Sequence, residues 1–130
     1  MAKKGSVLYI DQYKEVRELV NELMEKSFNL RTFSSLDEAE SFLKDSEIAG
    51  MLIDGMFKQK ELLDFVERAK IRVPDLPVAV LMPAVDMVLE PEFKKTLEKL
   101  GVKVVSKTEA LRYERREELF KWCASQKMGG

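Results

Sequence analysis

Short apolar runs alternate along this chain with longer segments in which apolar residues recur every three or four positions. Short, continuous apolar runs are typical of strands buried on both faces, whereas the longer spacing is typical of amphipathic helices. The predicted strands are Val7–Ile10, Asn29–Phe33, Met51–Ile53, Val78–Met82 and Val102–Val105. Five strands that alternate with five helices predict a doubly wound, parallel α/β sheet, and sheets of this kind often run in the order 2-1-3-4-5.

Capping residues set several of the predicted helix boundaries. Ser35 and Glu38 have the spacing of a capping box at a helix N-terminus. Pro91 suits the first turn of a helix, and Gly101 suits the position just after its end. The last helix is predicted to run from about Thr108 to about Gln126 as one charged segment.

Bulk composition favours one globular domain and excludes several classes of function. The 130 residues are 45% apolar and 35% charged with a net charge of −1, which gives no bulk electrostatic attraction to nucleic acid or membranes. The absence of histidine excludes histidine-dependent triads, and the single Cys123 excludes an internal disulfide. We expect a cytoplasmic domain over residues 1–127 followed by a tail at 128–130, either standing alone or cut from a longer protein.

Three polar residues follow predicted strands. Asp11 ends the first strand, Asp54 ends the third, and Lys107 follows the fifth. The carboxyl ends of parallel strands meet at one edge of a sheet, so these side chains should converge. Two carboxylates and an ammonium are suited to a divalent cation and a phosphoryl group, although Asp11 is also placed to cap the helix predicted from Gln12 to Lys26.

At these positions the chain resembles the receiver domains of two-component response regulators, over nearly its whole length. The motifs that carry the resemblance are Val7–Gln12, Gly50–Met56, Pro77–Ala84 and Val104–Thr108. The resemblance implies that Asp54 is the phosphoacceptor and that Lys107 contacts the phosphoryl group. It also implies a Mg²⁺ site formed by Asp11, Asp54, the position of Gln12 and the backbone of Met56.

Three positions depart from the family pattern. Gln12 stands where the family has a second carboxylate, so any magnesium should bind weakly. Met82 stands where the family has a hydroxyl, and Val104 where it commonly has a switching aromatic residue. These departures predict an atypical receiver that works as a protein-interaction module, wholly or partly without phosphorylation, rather than as an enzyme. The alternative is a working phosphoacceptor that takes its phosphoryl group from a histidine kinase.

Candidate partner-binding residues lie in two segments. Met87 and Leu89 belong to an apolar stretch between the fourth strand and the helix at Pro91, and Tyr113 and Trp122 belong to the last helix. The expected partner is a histidine kinase, a phosphotransfer or output protein, or an output domain of the same chain. The last helix is also a candidate surface for a homodimer, and the alternative interpretation of Trp122 is packing at the edge of the core.

A cofactor-binding domain of the same architecture is a third class, and the sequence gives it little support. The turn after the first strand, at residues 11–14, has no glycine fingerprint for a dinucleotide. Without histidine, the chain also lacks the ligand type that a cobalamin-binding sheet would use.

Overall fold

A computed structural model describes residues 5–45, 47–82 and 91–124, with backbone only at Asp45, Tyr113 and Glu114. The described residues form one parallel sheet whose strands run in the order β2-β1-β3-β4-β5, which confirms the predicted fold class and strand order. The strands are β1 Ser6–Ile10, β2 Leu30–Phe33, β3 Ile48–Asp54, β4 Val78–Met82 and β5 Lys103–Ser106.

Helices cover both faces of this sheet. They are α1 Lys14–Met24, α2 Leu36–Asp45, α3 Gln59–Arg72, α4 Pro91–Lys99, α5 Lys107–Ala110 and α6 Tyr113–Ala124. One core cluster joins one face of the sheet to α2, α3 and α4, and the other joins the opposite face to α1, α5 and α6. Strand residues alternate between the two clusters, as Leu8 and Tyr9 do, because successive side chains of a strand point to opposite faces.

The prediction of one continuous last helix from about Thr108 is wrong, because the chain forms α5, breaks near Leu111, and then forms α6. The predicted end at Gln126 lies outside the described residues. Ala110 and Leu119 are both buried in the same core cluster. They are nine residues apart, so a continuous helix at 100° per residue would place them on opposite sides. The break allows both side chains to reach the core.

The predicted start of α2 and both predicted ends of α4 are confirmed, whereas α1 is shorter than the predicted segment from Gln12 to Lys26. The Glu38 N–H donates to Ser35 Oγ at 3.2 Å, although the Glu38 carboxylate accepts from Ser34 Oγ rather than completing the capping box. The α4 helix begins at Pro91, and Gly101 follows it with a φ of 75°. Such a left-handed backbone is readily adopted by glycine, and it ends the helix.

A close approach of backbones joins α6 to the centre of the sheet. A methyl group built on Gly50 of β3 would overlap the carbonyl oxygen and the Sγ of Cys123. Cys123 itself is fully buried, and that burial raises the pKa of its thiol. The position therefore requires glycine for packing.

We expect Gly50→Ala to destabilise the fold by about 1–3 kcal/mol, because α6 must move away from the sheet to admit the methyl group. Urea unfolding of the variant measures this loss. The Cys123→Ala substitution removes one of the two obstructing atoms, so it should cost less in the Gly50→Ala background than in the wild type. Unchanged stability of Gly50→Ala would contradict the proposed steric conflict, and additive effects of the two substitutions would exclude the Cys123 Sγ from it.

Candidate functional site

The three polar residues predicted to converge do lie together at the carboxyl edge of the sheet. Asp11 directly follows β1, Asp54 is the last residue of β3, and Lys107 is the first residue of α5, directly after β5. Both carboxylates have no solvent exposure, and Lys107 is 9% exposed. Parallel pairing places these strand ends side by side, so the fold itself brings the charges together.

Lys107 contacts both carboxylates, but unequally. Its Nζ lies 2.6 Å from Asp11 Oδ2 and 3.6 Å from Asp54 Oδ1. The sequence predicts Asp54 as the partner of Lys107, and the structure adds a closer ion pair with Asp11. Two buried carboxylates share one ammonium, so the cluster carries an excess negative charge when both acids are ionised.

The Asp11 side chain is held by several donors. Its Oδ1 accepts a hydrogen bond from the Tyr13 N–H at 2.9 Å, and its Oδ2 accepts one from the Tyr9 hydroxyl at 2.9 Å. Arg17 Nη1 also donates to the Asp11 backbone oxygen at 2.8 Å. The N-cap residue of α1 is Tyr13, so Asp11 orders the segment before the helix and is not itself the N-cap.

Tyr9 is a site residue that the sequence reasoning missed. It lies in an apolar strand, but it is two residues before Asp11, and residues two apart point to the same face of a strand. That spacing is the signal that could have identified it. Burial, and then the charge of Asp11, raise the pKa of Tyr9, so its hydroxyl stays protonated and donates.

The Asp54 carboxylate is buried without a hydrogen-bond donor among the described side chains and backbone groups. Burial raises the pKa of Asp54, the Lys107 charge lowers it, and the Asp11 charge raises it again, with a net upward shift. The Met56 N–H also lies near enough to lower this pKa, but not in hydrogen-bonding geometry. The protonated form of Asp54 is therefore favoured relative to a solvated aspartate.

These residues fit a resident divalent cation poorly. The described residues contain no group of three acidic, histidine or cysteine side chains that could hold one. The Gln12 side chain is exposed, Met56 is 43% exposed, and both Asp11 oxygens already accept internal donors. Magnesium prefers oxygen ligands in a near-octahedral arrangement. Of the two carboxylates that the structure describes at this site, Asp11 already accepts hydrogen bonds and Asp54 accepts none.

Met82 fills the space beside the turn after β3. A methyl group built on Gly55 would come within 2.5 Å of Met82 Sδ, so the thioether packs directly against the residue after Asp54. Met82 is buried, and it offers no hydroxyl to a phosphoryl group. Val104, on β5, is half-buried and packs against the core.

Solved structures with the same fold include several receiver domains. A CheY-like response regulator receiver domain protein from Methanospirillum hungatei JF-1 has a TM-score of 0.76 at 11% identity, with 95% of this chain and 97% of that chain covered. A response regulator from Thermotoga maritima has a TM-score of 0.71 at 24% identity, covering 95% and 99%. The chain has the receiver-domain fold.

The same likeness extends to an adenylate cyclase from Rhodopirellula baltica, with a TM-score of 0.77, 14% identity, and coverage of 95% and 90%. No family model matches the chain, and no curated protein does. At these identities the likeness shows the receiver fold alone and assigns no function to the chain. In the described part of the chain, no helix combines the length and the apolar character of a membrane span.

The structure describes only one of the four predicted partner-binding side chains. Met87 and Leu89 lie outside the described residues, and so does the side chain of Tyr113. Trp122 is half-buried against the core, and Lys103 Nζ lies 4.9 Å from the centroid of its ring. Trp122 is thus engaged within the domain, and its role in partner binding stays a prediction.

We expect Asp54→Asn to stabilise the domain at neutral pH. The pKa of Asp54 is higher in the folded chain than its ordinary value of 3.8, so the folded state holds this proton more tightly than the unfolded state does. Stability is then lost as the pH rises from the unfolded pKa through the folded pKa. Asparagine avoids that loss, and its advantage should shrink as the pH falls towards 3.8.

Thermal unfolding at several pH values measures this difference. Asp64→Asn is the matched control, because Asp64 is an exposed carboxylate on α3. A lower melting temperature for Asp54→Asn than for the wild type at neutral pH would contradict the inferred effect of burial.

Proposed function

We propose that this chain is an atypical receiver module of two-component signalling that acts by binding a partner protein, wholly or partly without phosphorylation of Asp54. The observation that carries the proposal is the state of the acceptor position. Asp54 is fully buried, it has no hydrogen-bond donor among the described residues, and its nearest cation lies closer to Asp11.

Phosphoryl transfer to a carboxylate needs an ionised nucleophile and positive charge beside the phosphoryl oxygens. The raised pKa of Asp54 works against the ionised form, and Lys107 is already paired with Asp11. Gln12 adds no charge to attract a metal, and Met82 adds no hydroxyl to the phosphoryl site. Each of these features disfavours phosphoryl transfer to Asp54. Together they support a module that signals by binding a partner protein.

The partner that this proposal implies is another signalling protein. It would be a histidine kinase, a phosphotransfer or output protein, or an output domain attached to the same chain. The near-neutral charge supports neither nucleic acid nor a membrane surface as the direct partner. We place the module, over residues 1–127, in the cytoplasm, and we assign it no catalytic activity of its own.

The alternative function is a working phosphoacceptor, and one observation favours it. Asp11, Asp54 and Lys107 lie together at the carboxyl edge of the sheet, which is the arrangement that the resemblance to receiver domains implies for a phosphoacceptor site. In that case an Asp54 oxygen would attack the phosphorus of a phosphohistidine, forming a P–O bond as the P–N bond breaks. The histidine would leave with its nitrogen electron pair.

Amide NMR titration with millimolar magnesium and then beryllofluoride, a mimic of the aspartyl phosphoryl group, separates the two functions. We expect no saturable shifts at Asp11, Asp54 or Lys107 in the wild type, because the site offers too little positive charge and too few oxygen ligands. Saturable shifts that disappear in Asp54→Asn would establish the alternative.

Restoring the two missing groups should restore the response. We expect the double variant Gln12→Asp, Met82→Thr to bind beryllofluoride with magnesium roughly tenfold or more tightly than the wild type, since a charged hydrogen bond contributes about 1.5–3 kcal/mol. The same NMR titration measures the affinity. The double variant in an Asp54→Asn background is the control, and it should lose the gain.

A further inference from the structure

The Asp11 carboxylate is nearly saturated by donors from its own chain. It accepts from the Tyr13 N–H, the Tyr9 hydroxyl and the Lys107 ammonium, at 2.9, 2.9 and 2.6 Å. An ionised carboxylate offers about four lone-pair sites, so little capacity is left for a metal ion. Asp11 is also fully buried, which leaves no open side from which solvent could supply further ligands.

The Lys107 ammonium lies between the carboxylates of Asp11 and Asp54, where two negative charges attract a cation. Its Nζ contacts Asp11 and lies 3.6 Å from Asp54. The ring of Tyr13 lies on it as well, with 5.3 Å between Nζ and the ring centroid. Two buried carboxylates and an aromatic face are the surroundings that hold an ammonium in place.

The Tyr9 hydroxyl donates a hydrogen bond to Asp11 Oδ2, the same oxygen that pairs with Lys107. Its ring is fully buried in the core cluster of α1, α5 and α6, so the position of the hydroxyl is set by packing. Both Tyr9 and Lys107 reach Asp11 Oδ2. A metal ion that approached this oxygen would have to displace the ammonium and then compete with a hydroxyl that cannot easily move.

We propose that the Lys107 ammonium and the Tyr9 hydroxyl together replace the divalent cation at Asp11, with Tyr9 as the positioning residue that keeps Asp11 turned towards Lys107. This inference rests on the proposed function, because it explains how a receiver-type site is held together without a metal ion. Removing either donor should make the Asp11 carboxylate available to a divalent cation without any added ligand.

Titration with Mn²⁺, followed by paramagnetic broadening of the Tyr13 and Asp54 amide signals, tests the proposal. We expect weak or no specific broadening in the wild type. Tyr9→Phe removes only the hydroxyl and should tighten the apparent affinity for Mn²⁺ at least severalfold. Lys107→Met removes the competing charge and should tighten it by roughly tenfold or more.

Tyr13→Phe is the matched control. It makes the same chemical change at an exposed ring and keeps both the backbone N–H and the aromatic face that Lys107 contacts. Its affinity for Mn²⁺ should equal that of the wild type. Equal affinities of the wild type, Tyr9→Phe and Tyr13→Phe would overturn the role of Tyr9.

Lys107→Met leaves two buried carboxylates without a cation, so it should lower the melting temperature, and millimolar magnesium should restore part of the loss. A variant that folds only with magnesium supports the proposal in the same way. If Lys107→Met does not fold under either condition, Tyr9→Phe decides the outcome.

The proposed function and this inference can fail separately. Saturable binding of beryllofluoride and magnesium by the wild type would overturn the proposed function. If the wild type binds neither, but the Tyr9 and Lys107 variants bind Mn²⁺ no better than it does, only the replacement of the cation is wrong.

Discussion

The ion pair of Asp11 and Lys107, buried at the end of a parallel sheet, is the interaction on which the rest of the site depends. The Lys107 ammonium lies 2.6 Å from Asp11 and 3.6 Å from Asp54, so the closer pair with Asp11 leaves Asp54 with the weaker contact. A buried pair of this kind adds little net stability, because desolvation offsets most of the attraction, yet removing one partner typically costs about 3–5 kcal/mol. The pair therefore fixes the arrangement of the strand ends more than it strengthens the fold.

The core on both faces of the sheet sets the geometry of this pair. The break near Leu111 lets Ala110 and Leu119 be buried together, and it leaves α5 as a short helix that begins with Lys107 itself. On the opposite face, Met82 packs against Gly55 and closes the space beside Asp54. Asp54 is fully buried, and this burial is the main reason that its pKa is raised despite the nearby Lys107 charge.

Much of this arrangement was predictable from sequence, because a parallel sheet brings its strand ends to one edge whatever the details of packing. That geometry was enough to place Asp11, Asp54 and Lys107 together.

The third strand was predicted too short, since Ala49 and Gly50 carry little hydrophobic signal although both are buried in β3. The role of Tyr9 was missed although its two-residue spacing from Asp11 could have indicated it. The break after α5 could not be predicted, because it depends on contacts between distant elements. Lys107 Nζ lies about 1 Å closer to Asp11 than to Asp54, and a sequence pattern cannot predict so small a difference in distance.

Similarity of fold does not determine whether such a site uses a metal ion. A cation from solution must give up part of its hydration and bind at the concentration available to it, and magnesium does so reluctantly. An ammonium on the same chain is present at a high effective concentration, and the ordering of its side chain is already part of folding. With Gln12 adding no charge and Tyr9 holding the Asp11 carboxylate, the internal cation has the advantage over magnesium at this site. The same arrangement of carboxylates can therefore bind a metal ion in one receiver-like site and pair with an ammonium of its own chain in another.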